Sequence, residues 1–100
     1  MSEWVYFLHP PRDDFAATMT AEEAAAFNDH FEWLDELLEK GLLVMAGATG
    51  GTVNTGIGIF EAADEGAARA IVSQDPAAAG GYARGELRPF QLGLLRGRDG

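Results

Sequence analysis

The segment TAEEAAAFNDHFEWLDELLEKG, Thr20 to Gly41, is where the fold of this chain is decided. Thr20 stands where an N-cap side chain accepts from the free amides of a first helical turn. Glu23, three residues on, has the reach to bond back to the Thr20 amide and complete a capping box. Gly41 readily takes the left-handed conformation that ends a helix, so the element closes after Lys40. Within it Ala24, Phe27, Phe31, Leu34 and Leu38 recur at intervals of three and four, which predicts one apolar stripe facing the core. His30 falls on a second line with Glu23, Ala26, Trp33 and Leu37, which predicts an imidazole at the rim of that core, next to a large indole.

Outward from the helix the periodicity changes from that of a helix to that of strands. On the N-terminal side, Glu3 to Leu8 is aromatic and β-branched and stops at His9-Pro10-Pro11, where proline removes ladder donors; it reads as a strand. Its two faces, Trp4/Tyr6/Leu8 and Val5/Phe7, are both apolar, so both need cover. Arg12 to Met19 is read as a polar connection. On the C-terminal side, Leu42 to Ala46 is a second strand, Gly47 to Thr52 a turn, and Thr55 to Glu61 a third strand in which Gly56 and Gly58 either weaken pairing or leave space above it. Asp64 caps a second helix that runs to about Gln74 with Ala67, Ala70 and Ile71 inward. Gly85 to Leu95 is the last strand, and Pro89 assigns it an edge position or a bulge. Arg96 to Gly100 is a polar tail with no apolar period.

The order β-α-β-β-α-β predicts an α+β, ferredoxin-like fold: one domain over 1–95, with a four-stranded antiparallel sheet and both helices on one face. The other face would then be left as an exposed apolar patch, which monomers rarely tolerate. A homodimer packed through that open face is expected.

Between the second helix and the last strand lies Ser73-Gln74-Asp75-Pro76-Ala77-Ala78-Ala79-Gly80-Gly81-Tyr82. A carboxylate followed at once by a helix-breaking proline and a small-residue turn is held in one place, and His30 is its obvious chemical partner. A neutral imidazole takes a proton near pH 7, and a carboxylate on its second nitrogen fixes the tautomer and stabilises the cation that forms. His30 and Asp75 are therefore the candidate catalytic pair. The same two residues equally fit a structural hydrogen bond, with Asp75 capping a turn. Weaker candidates for substrate binding are His9 and Arg12 after the first strand, Trp33 beside His30, and Tyr82 with its hydroxyl.

Several of these pieces together resemble the YCII-related family of small dimeric α+β barrel proteins. They are the aromatic first strand ending in Pro10-Pro11-Arg12, then Phe15 through Met19-Thr20 and Glu23, and His30 in the helix. They continue with Gly41-Leu42-Leu43, Ala46-Gly47, the third strand, Asp75-Pro76 with Gly80, and Pro89-Phe90. The resemblance covers nearly the whole chain. It implies a dimeric barrel, an active-site dyad of His30 and Asp75, and small cyclic or phenolic ligands. Two departures bear on the pocket: Ala48 stands where the family usually has proline, and Ala77 where it commonly has a bulkier residue.

Composition removes several alternatives. Among 100 residues there is no cysteine, which excludes disulfides, thiolate catalysis and sulfur-ligated metal and fits a reducing cytoplasm. A formal charge of −9 with seven Lys and Arg opposes binding to a phosphate backbone, so nucleic acid is not an expected partner. The apolar run at the N-terminus is too short to cross a membrane or act as a secretory core, so a soluble, unexported protein without a membrane partner is expected. The glycine-rich turn lacks the Lys-Ser/Thr of a phosphate loop, neither zinc nor calcium ligand spacing occurs, and neither serine sits in a nucleophile elbow. The expectation is an enzyme that moves a proton in a cofactor-independent elimination or isomerisation of a small cyclic or enolisable compound. The alternative is a dimeric module, non-catalytic, that binds a small molecule or has a structural role.

Overall fold

The computed structural model describes residues 1–96. The chain runs β1 (Ser2–His9), α1 (Phe15–Thr18), α2 (Ala21–Glu39), β2 (Leu43–Ala48), β3 (Gly56–Ala62), α3 (Glu65–Val72), α4 (Pro76–Ala79) and β4 (Arg84–Phe90). Hydrogen bonding orders the strands β2-β3-β1-β4, with every neighbouring pair antiparallel. This is the ferredoxin-like α+β arrangement expected from the element order. Of the expected polar tail, residues 97–100 lie outside the described residues.

The long helix begins and ends as its sequence dictates. Thr20 Oγ1 accepts from the Glu23 amide at 3.1 Å, while the Thr20 amide donates to Glu23 Oε1 at 2.8 Å. At the other end Gly41 takes φ +76°, which lets Leu42 N–H donate to Leu37 O and Gly41 N–H to Leu38 O, the paired bonds of a Schellman cap. Asp64 caps α3 by accepting from the Ala67 amide at 2.8 Å.

Besides the inward face of α3, where Ala68 is buried and Ala70 exposed, three local readings need correction. The connection before α2 is not merely polar, because it contains α1, whose Phe15 is buried and packs against Phe27 at 5.2 Å between ring centroids. The last strand ends at Phe90 rather than Leu95. Phe90 pairs with Glu3, so β1 offers almost no further backbone for β4 to follow, and Leu94 and Leu95 are exposed. Pro89 does sit on an edge strand, the place expected for a residue without an N–H.

The third correction concerns α2 and bears on the site. The buried line is Ala26, His30, Trp33 and Leu37, while Phe31 is 58% and Leu38 57% exposed. The helix is therefore rotated from the expected setting. Trp33 and Leu37 join Trp4, Tyr6, Leu8 and Phe60 in the core, and His30 is drawn in with them by its bond to Asp75. The Phe27/Phe31/Leu34/Leu38 line is left facing a cleft on the β2 side of the sheet. On the sheet's opposite face Val5 and Ile59 are already buried and Phe7 is half-buried. The apolar surface there is narrower than the strand pattern suggests.

Candidate functional site

His30 and Asp75 are 45 positions apart in sequence, and three elements bring them together. The α2 register places His30 over the sheet. The end of α3 delivers Asp75, where the chain turns into α4 and Pro76 occupies the first helical position. As N-cap of that short helix, Asp75 accepts from the Ala77 amide at 3.0 Å through Oδ1. The same Oδ1 lies 2.8 Å from His30 Nδ1. From below, Tyr6 of β1 donates its hydroxyl to Oδ2 at 2.7 Å.

Asp75 is 0% exposed, yet both carboxylate oxygens are engaged. Burial by itself raises the pKa of such a group. The hydrogen bonds from His30 and Tyr6, the His30 charge and the Ala77 amide together outweigh it, so Asp75 is held below the usual carboxylate range. The Tyr6 phenol is pushed well above its ordinary value, first by burial and then by its bond to the Asp75 anion. An ionised Asp75 therefore requires a proton on Nδ1 of His30 and leaves Nε2 as the working nitrogen. Nε2 has no partner among the described residues and is not sealed off. Among those residues, the buried side-chain polar atom without a partner is Trp4 Nε1.

His30 is 7% exposed and forms part of the wall of a cleft of about 670 Å³. The rings of Phe27, Phe31 and Trp33 surround it at 5.3–5.8 Å between centroids. This volume lies within the range typical of small-molecule sites. A proton acceptor or donor with a fixed tautomer, set in an apolar wall, is equipped for acid/base work on a bound molecule.

The weaker sequence candidates sit elsewhere. His9 pairs with Glu86 at 2.8 Å, and Glu86 is held low mainly by that bond. Arg12 makes a two-pronged contact with Glu23, both at 2.8 Å, and bonds Thr18. The Arg12 contact, followed by the Thr20 amide, pulls Glu23 down to about 2. Trp33 backs His30 from within the core and opens onto a second hollow shared with Gln74 and Pro76. Tyr82 packs on Gly80, where a Cβ would come within 2.8 Å of its ring. None of these four lines the cleft beside His30. Ala48, the position noted for its departure from proline, does line it; Ala77 instead is buried and serves Asp75.

The member that sequence reasoning missed is Tyr6, taken there only as part of an apolar face of the first strand. A signal for it exists in Gly85. That residue pairs with Leu8, and a Cβ there would come 2.8 Å from the Tyr6 hydroxyl, so the glycine makes room for the phenol. Among the described residues no group of three or more His, Asp or Glu side chains is placed to hold a metal, and no helix is long and apolar enough to cross a membrane.

The family model of the YCII-related domain matches residues 4–91. The chain belongs to the YCII-related family. A search of curated proteins finds no match. Among solved structures, the chain is similar to 5-chloro-2-hydroxyhydroquinone dehydrochlorinase (TftG) from Burkholderia phenoliruptrix AC1100, in complex with 2,5-dihydroxybenzoquinone. The TM-score is 0.57 at 15% identity, covering 89% of this chain and 95% of that one. At that identity the likeness speaks to fold. The YCII-related chain described here shares that enzyme's overall architecture, and its own residues must carry any argument about chemistry.

Proposed function

We propose that this YCII-related protein is a small-molecule enzyme in which His30 transfers a proton and Asp75 orients and stabilises it. The reaction is a cofactor-independent elimination or isomerisation of a cyclic or enolisable compound. The observation that carries this reading is the pairing of His30 Nδ1 with a buried, ionised Asp75, on an imidazole that lines an apolar cleft and whose Nε2 has no partner among the described residues. Nε2 takes a proton from carbon or oxygen of the bound compound, and the imidazolium that forms is stabilised by the Asp75 anion. The same nitrogen then returns the proton to a new position or to a leaving group. Tyr6 acts through Asp75 as a positioning residue, because its hydroxyl holds Oδ2 and leaves Oδ1 to His30 and the Ala77 amide. That the fold neighbour is a dehydrochlorinase, whose reaction is an elimination, is consistent with this class.

A second reading has its own support. A 0% exposed carboxylate bonded to β1, α2 and α4 at once also works as a structural tie, and a non-catalytic binding module would use it so. Under either reading we propose a homodimer through the sheet face that bears Val5, Phe7, Ile57 and Ile59.

Proton abstraction is testable without knowing the product. Enolisable ring ketones and phenols are incubated with the protein in deuterium oxide, and exchange at carbon is followed by proton NMR. Enzyme-dependent exchange lost by about 10²–10⁴-fold in a folded His30→Ala variant supports the enzyme. Exchange that is no faster than in buffer for every compound, or that survives in His30→Ala, overturns it.

A further inference from the structure

The cleft beside His30 has a floor and a wall of different kinds. Gly58 pairs with Tyr6 on one side and Ala46 on the other, and Gly56 pairs with Leu8 and Ala48. Cross-strand partners share a face, so this patch of glycine and alanine looks toward the helices together with buried Tyr6 and Leu8. A Cβ built on Gly58 would meet nothing within 4 Å, whereas one on Gly56 would lie 3.3 Å from Leu8 Cβ. The space above the sheet is therefore open at Gly58 and closes at Gly56. Opposite stand Phe27, Phe31, Leu34 and Leu38 of α2. Into this gap between a flat floor and an apolar wall faces His30, more than nine-tenths buried and without a partner at Nε2 among the described residues.

Charge is distributed just as unevenly. Among the described residues no Lys or Arg lines the cleft, and Asp35 does. Arg12 reaches the ring of the wall residue Phe15 at 5.1 Å, but its charge is already matched by Glu23. The Tyr6 proton is committed to Asp75. An anionic ligand would enter a chain of net charge −9 and lose its hydration with no Lys or Arg among the described lining residues to receive it.

We propose that this slot takes a flat, uncharged, predominantly apolar ring compound with one proton-bearing group directed at His30, that it rejects carboxylate- and phosphate-bearing compounds, and that Gly58 sets how deep the ring enters. The inference rests on the proposed function in taking His30 as the group that meets the ligand. It differs in being readable from binding alone.

The matched probes are 2-naphthol and 2-naphthoate at pH 7, the first neutral and the second anionic, titrated into the full chain. Binding is followed by probe fluorescence and by the NMR signals of the His30 ring. The expected result is saturable binding of 2-naphthol that moves the His30 signals, with 2-naphthoate weaker by about tenfold or more. Gly58→Val puts a β-branched side chain into a strand and into open space, so the circular dichroism spectrum is retained. It should weaken 2-naphthol by about tenfold or more while phenol, a single ring, changes by less than about threefold. If the valine variant folds poorly, Gly58→Ala reads the same depth and should weaken 2-naphthol by about threefold. Equal or tighter binding of 2-naphthoate, absence of saturable 2-naphthol binding, or unchanged 2-naphthol affinity in the folded Gly58 variant overturns the proposal. Selective naphthol binding without proton exchange on any ring compound supports the slot and removes the enzyme. His30-dependent turnover confined to carboxylate-bearing substrates does the reverse.

Discussion

Replacing Asp75 with alanine strands three donors at once: the Tyr6 hydroxyl, His30 Nδ1–H and the Ala77 amide, which now sit 2.7, 2.8 and 3.0 Å from the carboxylate oxygens. A buried donor left without a partner costs about 1–3 kcal/mol. Three such terms do not simply add, because water entering from the cleft side satisfies part of the deficit. Breaking one partner of a buried charged pair in other proteins costs about 3–5 kcal/mol, and the same range is expected here. For a domain of this length that corresponds to a fall in Tm of roughly 15–30 °C. The assay is urea denaturation at pH 7 followed by far-UV circular dichroism. Protomer concentration is held fixed, since any association would otherwise shift the midpoint. Tyr6→Phe withdraws one donor and leaves the other two in place, so it should cost only about 1–2 kcal/mol. An Asp75→Ala loss below about 1 kcal/mol, or a Tyr6→Phe loss as large as that of Asp75→Ala, refutes the idea that Asp75 is the shared acceptor.

Acid should destabilise the protein as its carboxylates protonate. Asp75 is held below its ordinary value of 3.8, so its contribution is complete above that value and is lost as pH falls through the lower folded-state value. The urea midpoint should accordingly drop below about pH 4, and Asp75→Ala should show a shallower drop. Tyr6 has the opposite sign: its pKa is raised from 10.0, so stability is full below that pH and declines as pH rises beyond it, and Tyr6→Phe should reduce the alkaline decline. Thr20→Ala removes one half of the capping box at the start of α2 and should cost about 1 kcal/mol in the same denaturation experiment. Sedimentation should report a particle of twice the 10.7 kDa chain mass, and Phe7→Glu, which puts a charge on the open face, should return it to one chain. A single-chain mass for the unaltered protein would sink the dimer.

How much of this was legible in the residues depends on the range over which each signal acts. The capping box, the Gly41 exit and the Asp64 cap are satisfied within five residues, and each is found where the pattern placed it. The order of strands and helices follows from periodicity and turn residues, and it carried the fold. Even the meeting of His30 and Asp75 was foreseeable, since a buried carboxylate requires a donor and the chain has only two histidines.

What the residues did not disclose is the rotation of α2 about its own axis. Two apolar lines compete on that helix, Phe27/Phe31/Leu34/Leu38 and Ala26/His30/Trp33/Leu37, and by hydrophobicity alone the first should be the buried one. The second is buried instead, because the face of β1 beneath the helix offers Trp4 and Tyr6 to pack against and the junction of α3 and α4 offers Asp75 to bond. That outcome turns the more apolar line outward, over a floor emptied by Gly58, and so creates the cleft. Tyr6 was missed for the same reason, since its hydroxyl acquires a role only when a carboxylate 69 positions away is folded onto it. Local chemistry along the chain therefore determined which elements form and where they stop. Which helix face is buried, and hence where the hollow lies and which groups border it, was decided by contacts between residues distant in sequence, whose energies no local pattern encodes.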